Sequence, residues 1–242
     1  MNALRHLGVS TALAVILFSG CGAPHGQPSK GAEVLAPNEI LEFGTLYAEN
    51  CAGCHGSEGR GGAAIALANP TYLALADDAV IRKVIASGVQ GTAMPAFAER
   101  AGGMLTEAQI DVIGKGIRSW WSRRGILDAA NPPSYAARST GDAMRGEAAY
   151  KTYCESCHGP GGRGEEKGSS VTDDSFLGLV SDQGLRTAVI TGRPELGAPD
   201  WRGNVAGKPM SDQEVTDVVS WLASRRVQNP GQPYTVSNNT ER

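Results

Sequence analysis

The chain reads as an all-α protein of two tandem units, each made of three to four short helices. Three observations predict this. The cluster Cys51-Ala52-Gly53-Cys54-His55 recurs as Cys154-Glu155-Ser156-Cys157-His158. Apolar residues on either side of each copy fall at helical spacings behind polar capping residues. Neither unit carries a convincing strand alternation.

In chain order, residues 1–20 read as a signal peptide. Arg5 supplies a positive start, and Leu7 to Phe18 is an apolar run too short to span a bilayer. The tetrapeptide Phe18-Ser19-Gly20-Cys21 resembles a bacterial lipobox, which predicts export and lipidation of Cys21. Ordinary secretory cleavage nearby, with Cys21 a free thiol, is the alternative. Residues 21–37 are rich in Gly and Pro and read as a tether.

The first unit spans 38–125. Ile40, Leu41, Leu46 and Tyr47 predict a helix from Asn38 to Asn50 that leads into the first cluster. Asp77 to Ala86 predicts a second helix, and Thr106-Glu107-Ala108-Gln109 caps a third carrying Ile110, Ile113 and Ile117. Residues 126–141, with Pro132-Pro133, read as a linker. The second unit spans 142–227 and repeats the plan, with helices over Asp142–Tyr153, over Asp182–Thr191, and after the Ser211 cap. Residues 228–242 read as a disordered tail.

Composition narrows the function. Glycine is abundant, with 32 residues in 242, and aromatics are few, so each unit has little with which to build a side-chain core. A large apolar cofactor would supply the missing body. The net charge of −3 and the lack of a basic patch exclude nucleic acid as the expected partner.

C-x-x-C-H is the pattern of covalent c-type haem attachment. Two cysteines three apart share one helical face, so both sulfurs can add to the vinyl groups of one porphyrin. The adjacent histidine then reaches the iron. A four-cysteine zinc site would leave both histidines unexplained, and a thiol redox pair would normally occur once in a βαβ context. The flanks repeat too: Tyr47 and Tyr150 stand four residues before each first cysteine, and Gly56 and Gly159 follow each histidine. The residues therefore predict two covalent haems c, held by Cys51, Cys54 and His55 and by Cys154, Cys157 and His158.

Helix, C-x-x-C-H, long loop, Met-Pro, then a C-terminal helix is the order of the class I cytochromes c, which the chain resembles twice over. The resemblance implies two tandem cytochrome c domains whose N- and C-terminal helices pack across each other. It makes His55 and His158 the proximal iron ligands. In Gly91-Thr92-Ala93-Met94-Pro95, Met94 matches the distal ligand, 39 residues after His55. Met104 is a weaker rival. The second unit has Ala198-Pro199 at the matching place. Met210 could swing in as ligand, the iron could be open or hold water, or a residue from outside could bind. Met210 also aligns with Leu105, which makes a plain hydrophobic role the competing expectation.

Other residues carry weaker expectations. The resemblance suggests that Pro70 offers its carbonyl to the proximal histidine. Arg82 and Arg186 would be exposed charges or partners of haem propionates. Trp120, Trp121, Trp201 and Trp221 would be core or haem-wall residues.

The leading expectation is an exported, lipid-anchored di-haem electron carrier on the periplasmic side of a bacterial membrane. Its partners would be a quinol-oxidising complex, an oxidase or a dehydrogenase, met through small, wet interfaces. The rival readings are a haem enzyme or gas sensor using the second iron, and a cytochrome subunit of a respiratory complex. The sequence points to no catalytic residue, and no histidine beyond His55 and His158 lies within the units.

Overall fold

The structure, a computed structural model, describes residues 35–228. The signal peptide, Cys21 and all but the end of the tether lie outside the described residues, as does the tail after Gln228. Among the described residues there are ten helices and no strand. The prediction of an all-α chain built as two tandem helical units holds.

In the first half, α1 (Phe43–Asn50) runs into the single turn α2 (Ala52–His55). They are followed by α3 (Pro70–Leu75), α4 (Asp78–Ser87) and the long α5 (Glu107–Trp121). The second half repeats the set as α6 (Ala143–Tyr153), α7 (Glu155–His158), α8 (Asp174–Leu179), α9 (Asp182–Thr191) and α10 (Asp212–Ala223). Each half thus holds five α-helices besides short 3-10 turns, because the cluster forms a turn of its own and α3 and α8 add one more each.

Caps set most boundaries. Thr106 with Gln109 and Ser211 with Glu214 form capping boxes at the starts of α5 and α10. Asp77, Asp142 and Ser181 cap α4, α6 and α9. The helix expected from Asn38 begins later. Pro37–Glu39 is a separate 3-10 turn, and the carbonyls of Pro37 and Ile40 accept the Gln109 side-chain amide at 2.8 and 3.2 Å. With those carbonyls engaged by α5, the helix starts where the Glu42 carboxylate accepts the Gly44 and Thr45 amides.

The terminal helices of each half cross as the resemblance implied. Leu46 and Tyr47 of α1 bury against Ile110, Ile113 and Ile117 of α5. Tyr150 of α6 buries against Val218 and Trp221 of α10. Fully burying one such side chain is worth about 1.5–3 kcal/mol.

The segment read as a linker is an ordered strap. Arg186, expected at a surface or a haem edge, is only 2% exposed. It donates to the carbonyls of Ser134 and Tyr135 and to the Thr216 hydroxyl, and it pairs with Asp212. Asp212 also accepts the Ser134 amide at 2.8 Å. The Tyr135 ring meanwhile packs against the first half's core, and Leu127 and Ala130 pack against the second. Arg82 keeps a surface role, paired with Asp111 and Glu107.

Candidate haem sites

Each C-x-x-C-H cluster sits at a break between two helices. Cys51 ends α1, with its amide bonded to the Tyr47 carbonyl at 2.9 Å, and also begins α2, with its own carbonyl accepting the His55 amide at 3.0 Å. Cys154 does the same between α6 and α7, with 2.8 and 2.9 Å to Tyr150 and His158. The break turns the chain so that both thiols and the imidazole leave one tight turn.

The flanking tyrosines close that turn. The Tyr47 hydroxyl donates to the Gly56 carbonyl at 2.8 Å, and the Tyr150 hydroxyl donates to Gly159 at 2.6 Å. Gly56 has φ +84°, and a Cβ there would stand 1.9 Å from the Arg60 carbonyl oxygen. Glycine after the histidine is therefore a steric requirement. A tryptophan from the last helix leans on each tyrosine. Trp121 meets Tyr47 edge-on at 5.0 Å, and Trp221 stacks on Tyr150 at 4.3 Å. Trp201 is buried as well, but Trp120, expected in a core or haem wall, is 62% exposed.

Both histidines are oriented from behind. His55 Nδ1 lies 2.8 Å from the Ile65 carbonyl oxygen, and His158 Nδ1 lies 2.8 Å from that of Ser169. A carbonyl can only accept, so Nδ1 carries the proton and Nε2 keeps its lone pair for a metal. Burial lowers the His55 pKa, opposed by the bond to Ile65, which favours the neutral ligand form. The expectation for Pro70 is corrected here. Pro70 opens α3 behind the Asn69 cap, and the acceptor is Ile65. That is why the second half manages without a proline. No side-chain signal could have pointed to either carbonyl.

The first cysteine of each pair is not an activated thiol. Burial, with the neighbouring cysteine, pushes Cys51 up to about 11 and Cys154 up to about 12. Reactive cysteines are held low instead. Among the described residues no group of three or more His, Cys, Asp or Glu is placed to hold a metal ion. The two cysteine pairs thus do not converge. Two cysteines beside an oriented imidazole fit a covalent haem c in each half. Cys51, Cys54, Cys154 and Cys157 would hold the porphyrin edges, and His55 and His158 the iron. A buried donor also awaits a partner: the Trp221 indole nitrogen has none.

The distal segments share several backbone bonds. The Val89 amide donates to the Met94 carbonyl at 3.0 Å, and that of Arg193 donates to Ala198 at 2.9 Å. Phe97 and Trp201 bind back to Ile85 and Ile190, both at 3.1 Å. The amides of Leu105 and Met210 then bind Phe97 and Trp201 at 2.8 and 2.9 Å. Ala198 therefore occupies the place of Met94, and Met210 that of Leu105. Met94 is partly buried in its loop, while Met104 is 83% exposed. Met210 is 2% exposed among the core residues of the second half, with the Asn204 amide 3.9 Å from its sulfur.

Comparison with known proteins agrees with the duplicated site. The family described as "Cytochrome C oxidase, cbb3-type, subunit III" matches residues 38–115 and again 141–222. The cytochrome bc1 complex cytochrome c subunit of Mycobacterium leprae is 26% identical over 184 residues, 73% of this chain and 58% of that one. The cbb3-type cytochrome c oxidase subunit CcoP of Azospirillum sp. (strain B510) is 30% identical over 148 residues, 54% of this chain and 45% of that one. The chain spans about half the length of these curated relatives. Among solved structures, a chain of a reducing HAO-like protein complex of Kuenenia stuttgartiensis aligns over 80% of this chain and 100% of that one, at 21% identity and a TM-score of 0.41.

Proposed function

Because this chain belongs to the cytochrome c oxidase, cbb3-type, subunit III family, we propose that it is an electron carrier holding two haems c. Haem, when bound, supplies a one-electron iron couple. The residues set its attachment, ligation and surroundings. Cys51, Cys54 and His55 hold the first group and Met94 its sixth position. Cys154, Cys157 and His158 hold the second. The observation that carries the proposal is the site built twice, with the same turn, tyrosine and carbonyl behind the histidine.

The two sites differ at the sixth position. Methionine ligation raises a haem's potential, so Met94 against Ala198 gives the haems unlike potentials and the electrons a preferred direction. Redox partners would be a quinol-oxidising complex, an oxidase or a periplasmic dehydrogenase. No helix of the described residues is long and apolar enough to cross a membrane. Membrane attachment in this proposal rests on a lipidated Cys21.

Ala198 also favours a second reading, in which an open second iron binds a gas or peroxide. The test is a haem count per chain, followed by carbon monoxide titration of the reduced protein. Two haems, of which one binds carbon monoxide, support the carrier with an open second site. Failure of both to bind restores Met210 as ligand. Any other haem count refutes the di-haem proposal. Peroxidase turnover above that of free haem would favour the enzyme.

A further inference from the structure

The two halves meet along a narrow seam. The Asn69 side-chain amide donates to the Thr191 carbonyl at 3.0 Å, with both residues buried. Arg193 Nη2 donates to the Gly62 carbonyl at 3.0 Å. Helix α3 of the first half packs on α9 of the second, and Leu75 of α3 reaches the second half's core.

The seam joins particular parts of the two sites. Gly62 lies directly on the first attachment turn, since a Cβ there would stand 2.1 Å from the Cys54 carbonyl oxygen. Asn69 ends the loop that carries Ile65, the residue orienting His55. On the other side, Arg193 is bonded in both directions to Ala198, at 2.9 and 3.1 Å, and Ala198 occupies the second site's sixth-ligand place. Gly62 and Arg193 thus bring the first attachment turn up to the segment that holds Ala198. The first half has Val89 at the place of Arg193 and can make no such reach. Arg193 is held in turn by Glu195 at 2.5 Å.

We propose that Asn69 and Arg193 are positioning residues that clamp the seam across which electrons pass between the two haem sites. The proposal rests on the di-haem reading above. The crossing is a one-electron transfer. One half is oxidised and the other reduced, no bond is made or broken, and no proton moves. The clamp acts through geometry, by holding the attachment turn of one half against the distal segment of the other.

The test uses the full haem-loaded chain with Asn69→Ser and Arg193→Ala, singly and combined. Serine still caps α3 but is too short to reach Thr191. The exchange rate between the two singly reduced forms is read from haem-methyl NMR signals at half reduction. In the double variant we expect a fall of about tenfold or more, with both midpoint potentials unchanged, and recovery on Arg193→Lys. An unchanged rate overturns the proposal. So does a fall that arrives with altered haem spectra and is not recovered by lysine, because that marks a general structural defect. A wild-type chain without two haems instead refutes the di-haem reading, so the two failures are separable.

Discussion

Phe43 lies across Gly116 where α1 and α5 cross: a methyl group on Gly116 would stand 2.0 Å from the Phe43 ring. The second half reverses the pair. Its small residue, Gly146, sits on α6, and its large one, Trp221, on α10, with a Cβ at Gly146 only 2.7 Å from Trp221 Cβ. Gly116→Ala should cost about 1–3 kcal/mol by overpacking. Combining it with Phe43→Leu should recover part of that loss in a denaturant titration. Gly146→Ala should be harder to rescue, because its new methyl meets the Asp217 backbone oxygen at 2.0 Å. Trimming Trp221 cannot move a backbone atom.

Asp217 ties α10 to the start of α6. It accepts from Arg145 at 2.8 and 3.0 Å, from the Asp142 amide at 2.8 Å and from Gln213 at 2.8 Å. Burial alone would raise its pKa, but these donors outweigh burial and hold it below the usual value. Its stabilisation is thus present above the unfolded pKa of about 3.9 and lost as pH falls through the folded value. Asp217→Asn should lower stability at neutral pH by about 1–3 kcal/mol. The gap to wild type should close below pH ~4, as seen in melts across pH.

Arg186 should be among the residues least tolerant of change in the second half. Lysine has one charged nitrogen and cannot reproduce the guanidinium's bonds to Ser134, Tyr135, Thr216 and Asp212. Leaving several of these acceptors without their donor costs about 1–3 kcal/mol for each buried one. We expect Arg186→Lys to lower the melting temperature and expose residues 126–141 to limited proteolysis. An unaltered cleavage pattern would show that the strap is held by its packing alone.

The sixth positions should be exchangeable. The Ala198 carbonyl accepts the bond that the Met94 carbonyl accepts in the first half, so Ala198→Met should close the second site, abolish carbon monoxide binding there and raise that haem's potential. Met94→Ala should do the reverse, so that both haems bind carbon monoxide. Titration of each variant, normalised to total haem, checks both outcomes.

Much of the molecule was legible in the residue order. Covalent haem attachment demands two thiols and an imidazole at fixed local spacing, so Cys51, Cys54, His55 and their repeats stand out as its candidates in the residue order. Caps are local too, and Asp77, Thr106, Asp142 and Ser211 marked their helices. Repeat alignment alone matched Ala198 to Met94 and Met210 to Leu105, and the backbone bonds bear out both matches.

What only the tertiary structure decided concerns groups that are far apart in the chain or carry no side-chain signature. The Ile65 and Ser169 carbonyls that orient the histidines are backbone atoms, which any residue would present. Arg186 looks like a surface charge until the strap from Ser134 to Tyr135 closes over it. Arg193 differs from Val89 in the repeat, but its reach to Gly62, 131 residues away in sequence, exists only once the halves are docked. Local stereochemistry is written in neighbouring residues. Burial and long-range hydrogen bonding depend on how the whole chain packs.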